Sequence, residues 1–394
     1  MATPSGPPEF PLDPKTNSNV PSDGVDEQVE RMRIDEKSDA SDRELVSLVY
    51  KSESIVQAFA DRWPGRRELE EMSRSFGPEL VRVALARILA QVTPNRYFYE
   101  QVEAILRDSP DLRPSSILWL NRREPPVLSP KDLVNRYELC IVSSVAPSQL
   151  GRDWGSHVND WKHWARLSGM TTSVIETRKS QSLLSNSEII RRFLRENPHD
   201  RRIIATLGQG STEFRMLIDQ LAKLDPIAKL GPMKDRQEFD GIRAWVNVSG
   251  VIHGATGLSQ GQSPKWAQQL DRAATSFKDF MRGWPSQMSS QLSAGNIRLR
   301  QATDWRELPF VCVSLFGFPN VGDVPLGQKG RFLNLAKLGP NDGACLFHDS
   351  IVKPGYVIPV PHMSHSAESM RLAPWMMATL RALKNSGRDQ SWPA

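Results

Sequence analysis

The sequence predicts an α/β fold, a central, mostly parallel sheet flanked by helices. Three observations carry this. From about residue 135, apolar runs of strand length alternate with amphipathic helical segments. One run, Ile203 to Leu207, breaks into Gly208-Gln209-Gly210-Ser211 and continues as a helix-capable segment, Thr212 to Leu224. Hydrophobic residues make up 39% and charged residues 24%, the balance of a globular chain long enough, at 394 residues, for a large core.

In chain order, residues 1–43 are rich in Pro, Ser, Asp and Glu and poor in apolar side chains. Such a segment cannot bury enough surface to offset its ordering entropy, so a disordered acidic tail is expected. Residues 44–134 read as a helical region and connector. Leu45, Val46, Leu48 and Val49 open one helix. A second follows Gly77-Pro78, with proline in the first turn and Leu80, Val81, Leu85, Ile88 and Leu89 at helical spacing. A third carries Val102, Ile105 and Leu106, and the proline-containing stretch 110–134 is the connector. This region is read either as a module packed on the main domain or as a partner-binding domain.

The main domain is placed at 135–394. Its strands are Tyr137–Ser144, Met170–Ile175, Ile203–Leu207, Gly241–Ser249, Phe310–Phe316 and Tyr356–Val360. Helices are expected over Trp154–Leu167, from Ser185-Asn-Ser-Glu188 through Arg195, and over Leu372–Leu383. Between the fourth and fifth strands, about 260–296, Trp266, Leu270, Ala273, Phe277, Phe280, Met281 and Trp284 share a helical face. That segment is expected to be a helical cap over the strand ends or a plain surface insertion.

Composition narrows the function classes. The net charge of +5, from 50 basic and 45 acidic residues, comes with no dense basic run, so no nucleic-acid partner is expected. Cys140, Cys312 and Cys345 sit in unrelated apolar contexts and read as buried thiols, not a disulfide framework. The N-terminus lacks a signal-peptide pattern and no apolar run is long enough for a transmembrane segment. A cytoplasmic location is the expectation.

Ligands of such sheets bind beyond the carboxyl ends of the strands. There the chain places Ser143–Gly151, Gly208–Ser211, Gly250-Val-Ile-His-Gly254, Asn341-Asp-Gly343 and Pro361-His-Met-Ser-His365. The strand order, the glycine turn, Trp245-Val-Asn-Val-Ser-Gly-Val-Ile-His-Gly254, Gly339-Pro-Asn-Asp-Gly343 and the terminal histidine together resemble the α/β-hydrolase superfamily, in its lipase and esterase members. The resemblance covers about residues 135–385. It implies a nucleophile, an acid and a histidine in that chain order. Carried onto this sequence, the acid is Asp342 and the base His365, where Ser364-His365 replaces the usual Asp-His pair. The base would take the nucleophile's proton and the acid would orient the imidazole. Backbone N–H groups at Gly208, Gln209 and Gly210 and in the Ser143–Gly151 loop would hold an oxyanion. No histidine-glycine motif stands in that loop, which reads Ser143-Ser-Val-Ala-Pro147. His362 and His365 make a His-x-x-His spacing, but no third ligand is fixed by spacing even with Asp349, so no metal and no cofactor is expected.

The nucleophile is the irregular member. A nucleophile elbow needs small residues two before and two after the reactive one. With Thr206 and Gly210 as that pair the position is Gly208; with Gly208 and Thr212 it is Gly210; neither can attack. Ser211 has an attacking hydroxyl, but Gln209 and Glu213 flank it and are too large for the turn. Two functions stay open. One is a serine hydrolase acting on a carboxylic ester or related acyl group through Ser211, Asp342 and His365, in impaired form. The other is a non-catalytic pseudo-hydrolase that binds a small ligand or a protein partner.

Overall fold

The structure is a computed structural model. It describes residues 47–109 apart from 60–61 and 92–94, 137–143, 158–178 with short gaps, 181–228, 237–254, 308–365 apart from 325 and 353–354, and 369–385. The acidic tail, the connector at 110–134 and the cap segment at 260–296 lie outside the described residues.

The helices before the sheet include α1 (Glu53–Ala58), α2 (Arg66–Phe76), α3 (Pro78–Gln91) and α4 (Asn95–Asp108). Among the described residues six strands follow: β1 (Glu138–Ser143), β2 (Thr171–Glu176), β3 (Arg202–Leu207), β4 (Ile242–Val248), β5 (Val311–Phe318) and β6 (Tyr356–Pro361). They form one sheet in the order β2-β1-β3-β4-β5-β6, and every neighbouring pair is parallel. Val142 of β1 lies between Ile175 of β2 and Thr206 of β3, so the turn after β3 opens at the middle of the sheet.

Period-two side-chain direction explains how the sheet is covered. Leu139, Ile141, Ile203, Ala205, Ala244, Val246 and Val248 face one core together with Phe98 of α4 and Trp375 of α9 (Ser369–Asn385). Cys140, Val142, Ile204 and Trp245 face the other, against Ile190 of α5 (Leu183–Glu196) and Phe214 and Leu217 of α6 (Gln209–Ala228). β1 and β5 are buried along their whole length, as expected for strands covered on both faces. The helices before the sheet share a third core with it. Val81, Leu85 and Ile88 of α3 pack in one cluster with Phe316 and Phe318 of β5 and Val357 of β6. Asn95 bridges the same elements: its Oδ1 accepts from Val357 N at 2.7 Å and its Nδ2 donates to Val357 O at 2.8 Å.

Several boundaries differ from the sequence reading. α5 starts at Leu183 with Ser182 as its cap, whose hydroxyl accepts from Ser185 N at 3.1 Å. Asn186, expected near the cap, is drawn inside, where Nδ2 donates to Arg178 O and Glu213. β5 runs two residues past Phe316, because Gly317 and Phe318 still pair with β6. α7 (Leu326–Ala336) had no clear signal, since Gly327 and Gly330 dilute its pattern. α6 begins at Gln209, three residues before Thr212, which leaves the strand-to-helix turn a single residue long. A four-residue helix, α8 (Phe347–Ser350), precedes β6. Among the described residues, no helix is long and apolar enough to cross a membrane.

Candidate active site

The turn after β3 is Gly208, at φ +51°. L side chains rarely adopt this left-handed backbone, whereas glycine does so at no steric cost. A Cβ placed there would meet nothing within 4 Å. The Gly208 carbonyl accepts from Ser211 N at 3.3 Å and from Val251 N at 3.2 Å, tying the turn to the loop after β4. Gly210 has the opposite surroundings. A Cβ there would stand 2.6 Å from the Val142 carbonyl oxygen, so only glycine lets α6 lie this close to β1. Of the two glycines, Gly208 carries the positive φ of the turn and Gly210 the close approach to β1.

Ser211 is the third residue of α6 and fully buried. Its hydroxyl donates to Thr206 Oγ1 at 2.8 Å, an oxygen that also accepts from Trp245 Nε1 at 2.9 Å. Gly250 lies against it, and a Cβ at Gly250 would collide with the Ser211 hydroxyl and with Asn247 Oδ1.

Gln209 follows the turn, and its side chain is fixed from below. Nε2 donates to Glu213 Oε1 at 2.5 Å. Glu213 is fully buried and also accepts from Asn186 Nδ2 and from Thr177 Oγ1, each at 2.6 Å. Burial pushes its pKa up to about 7, while the hydrogen bonds from Thr177, Gln209 and Asn186 pull the other way without cancelling it. One carboxyl thus joins the first turn of α6 to α5 and to the residue after β2. The sequence reading missed it, although Gln209 and Glu213 share a helix face at i,i+4.

The loop that carries Asp342 comes between β5 and β6. Gly343 N donates to Asn341 Oδ1 at 2.9 Å, and Gly343 takes φ +98°, so Asn341-Asp342-Gly343 is an Asx-type turn. Asp342 is fully buried, and its Oδ1 accepts from Ala344 N at 2.9 Å and Cys345 N at 2.7 Å. Its Oδ2 accepts from His365 Nδ1 at 2.9 Å, and the Asp342 carbonyl accepts from His365 N at 2.6 Å. Burial alone would raise the Asp342 pKa. The His365 charge and hydrogen bond, with the two backbone N–H groups, override it and hold the carboxyl below its ordinary value.

The structure parts His362 from His365. His362, at φ +57°, turns to the surface, with Nδ1 3.2 Å from Asp323 Oδ2 and 3.1 Å from Asn320 Nδ2. Asp349 is occupied elsewhere, with Oδ1 3.6 Å from His348 Nε2. Among the described residues, the group able to converge on a metal ion is instead Asp342, Cys345 and His365. His253, in the loop after β4, is held by Arg215. The guanidinium donates to Ile252 O at 2.6 Å and lies 3.1 Å from His253 Nδ1, and His253 Nε2 lies 3.0 Å from Ile351 O. With Nδ1 accepting, the ring proton is on Nε2 and donates to that carbonyl. Val251 of the same loop packs on Ala344 and Cys345, so the loop after β4 touches both the Gly208 turn and the Asp342 loop. Of the Ser143–Gly151 loop only Ser143 is described; its carbonyl accepts from Thr177 N at 3.0 Å.

A six-stranded all-parallel sheet in this order, with helices on both faces, is an α/β-hydrolase-like fold. No protein-family model matches the chain, and no curated protein matches it. Solved structures do. A metagenomic carboxyl esterase superposes with a TM-score of 0.49 at 15% identity, over 73% of this chain and 91% of that one. The mature form of the Bacillus licheniformis lipase BlEst2 gives 0.41 at 13% identity, over 60% and 87%.

Proposed function

We propose that the chain is a hydrolase-fold protein whose site at the carboxyl edge of the sheet binds a small acyl-type ligand without serine-based turnover. The observation that carries this is Gly208 at the positive-φ turn between β3 and α6. That residue is where an elbow presents its nucleophile, and glycine has nothing to attack with. Ser211 does not substitute for it: its hydroxyl is buried under α6 and committed to Thr206. Misplacement by even about 1 Å can cost on the order of a hundredfold in rate.

A second reading, weak ester hydrolysis, is supported by the Asp342–His365 pair, which has the geometry of an acid and base that would serve a nucleophile. A fluorophosphonate probe and a chromogenic short-chain ester separate the two. The binding reading expects no labelling of the wild-type protein and gain of labelling in Gly208→Ser, whose hydroxyl would enter open space. Labelling of wild-type Ser211 with turnover in the ordinary enzyme range, about 1–1000 per second, would overturn it. Weak turnover abolished by both Ser211→Ala and His365→Ala would establish the impaired-enzyme reading.

A further inference from the structure

We propose that Asp342, Cys345 and His365 form a binding site for a divalent metal ion of the zinc class. Each offers one donor atom, an oxygen, a sulfur and a nitrogen, and the three atoms lie within 4.8 Å of one another. This is a mixed set of the borderline-soft kind that zinc takes in four-coordinate sites. Tetrahedral zinc, with bonds of about 2.0 Å to oxygen or nitrogen and about 2.3 Å to sulfur, holds its donors roughly 3.3–3.6 Å apart. The Asp342 Oδ2 to His365 Nδ1 separation of 2.9 Å has to open by a few tenths of an ångström, and the widest separation, within 4.8 Å, has to close by up to about 1 Å.

The donors are anchored by main chain. Asp342 N donates to Cys345 O at 3.1 Å, Cys345 N donates to Asp342 Oδ1 at 2.7 Å, and His365 N donates to Asp342 O at 2.6 Å. Because Oδ1 takes the Ala344 and Cys345 N–H groups, Oδ2 is the oxygen left to the metal, and its orientation is fixed before binding. Charge also balances. One carboxylate and one thiolate neutralise a divalent ion. The thiol proton leaves to solvent when the sulfur binds, and the imidazole binds as the neutral ring. Three protein donors leave the fourth position for water.

The site does not depend on the proposed ligand-binding function, and its test reads metal directly. The full chain, stripped with a chelator, is titrated with zinc by calorimetry and with cobalt(II) by absorption at neutral pH. The expected result is one equivalent bound at about 1 μM or tighter, with a thiolate-to-cobalt charge-transfer band. Cys345→Ser is expected to remove the band and weaken zinc binding at least about tenfold. Cys140 and Cys312 lie on β1 and β5 and stay unchanged in that variant. Absence of stoichiometric binding, cobalt bound without the band, or a band that survives Cys345→Ser would overturn the site. Should the variant fail to fold, Cys345→Ala is read in its place, and the wild-type stoichiometry and band remain decisive.

Discussion

The Ser211 hydroxyl donates to Thr206 Oγ1 at 2.8 Å, linking the first turn of α6 back to the strand that leads into it. Thr206 Oγ1 keeps a second donor in Trp245 Nε1, so removing the serine oxygen does not orphan it. Ser211→Ala is therefore expected to lower stability by only about 0.5–1.5 kcal/mol, the ordinary value of one hydrogen bond. Under the binding reading it changes no activity, because the hydroxyl is structural. Denaturant unfolding beside fluorophosphonate labelling checks both halves.

Gly210 makes a sharper test of how the turn is built. Its would-be Cβ meets the Val142 carbonyl, a backbone atom that cannot swing aside. Gly210→Ala is expected to push α6 off β1 and cost about 1–3 kcal/mol, the scale of an overpacked core, despite alanine's better helix propensity. A melting temperature equal to or above that of the wild-type protein would show that the contact yields.

Asp342 supports the loop as well as the histidine. Asp342→Asn leaves an amide where a carboxylate accepts from Ala344 N, Cys345 N and His365 Nδ1. With its amide oxygen kept on the two backbone N–H groups, its NH2 faces His365 Nδ1, which accepts as the other neutral tautomer, so only about 0.5–1.5 kcal/mol of stability is expected to be lost with the carboxylate bond. The same substitution should move the His365 ring proton from Nδ1 to Nε2. An NMR titration of the His365 ring follows this, and an unchanged imidazole environment in the variant would show that Asp342 does not position it.

The sheet was legible chiefly through β1 and β5, which are covered on both faces and so read as uninterrupted apolar runs, as in Cys140-Ile141-Val142 and Val311-Cys312-Val313. Strand ends were less so: residues such as Gly317 and Phe318 stay in β5 through pairing with β6, a tertiary effect that local pattern does not carry. At the site, Asn341-Asp342-Gly343 could be seen as a turn, but a turn motif does not say which imidazole it will meet. The register of the elbow was open in sequence because two glycines flank Gln209. Their different surroundings separate them: Gly208 needs its positive φ, whereas Gly210 needs its missing Cβ. Glu213 escaped notice because its partners Thr177 and Asn186 are 36 and 27 residues away in the chain. Nothing in local spacing marks a carboxyl that folding will seal.

Glu213 and Asp342 are both fully buried carboxyls, and they should shape the pH dependence of stability with opposite signs. Glu213 has its folded pKa raised from 4.5 to about 7, so between those values the folded state holds a proton that the unfolded chain has released. Stability from this group is then greatest below about pH 4.5 and falls as pH rises towards 7. Asp342 has its folded pKa lowered from 3.8, so its contribution is present above that value and is lost as pH falls through the folded pKa. The two windows do not overlap, so the range between pH 4.5 and 7 separates Glu213 from Asp342. Glu213→Gln tests the assignment without emptying the site. Its amide oxygen can accept from Asn186 and Gln209 while its NH2 donates to Thr177 Oγ1, which can reverse its role. The variant is expected to flatten the fall in stability across pH 4.5–7 and to be more stable than wild type at neutral pH, by up to about 2–3 kcal/mol. Urea unfolding of both proteins across that range measures it, and a wild-type slope that survives the substitution would assign the titration to another group.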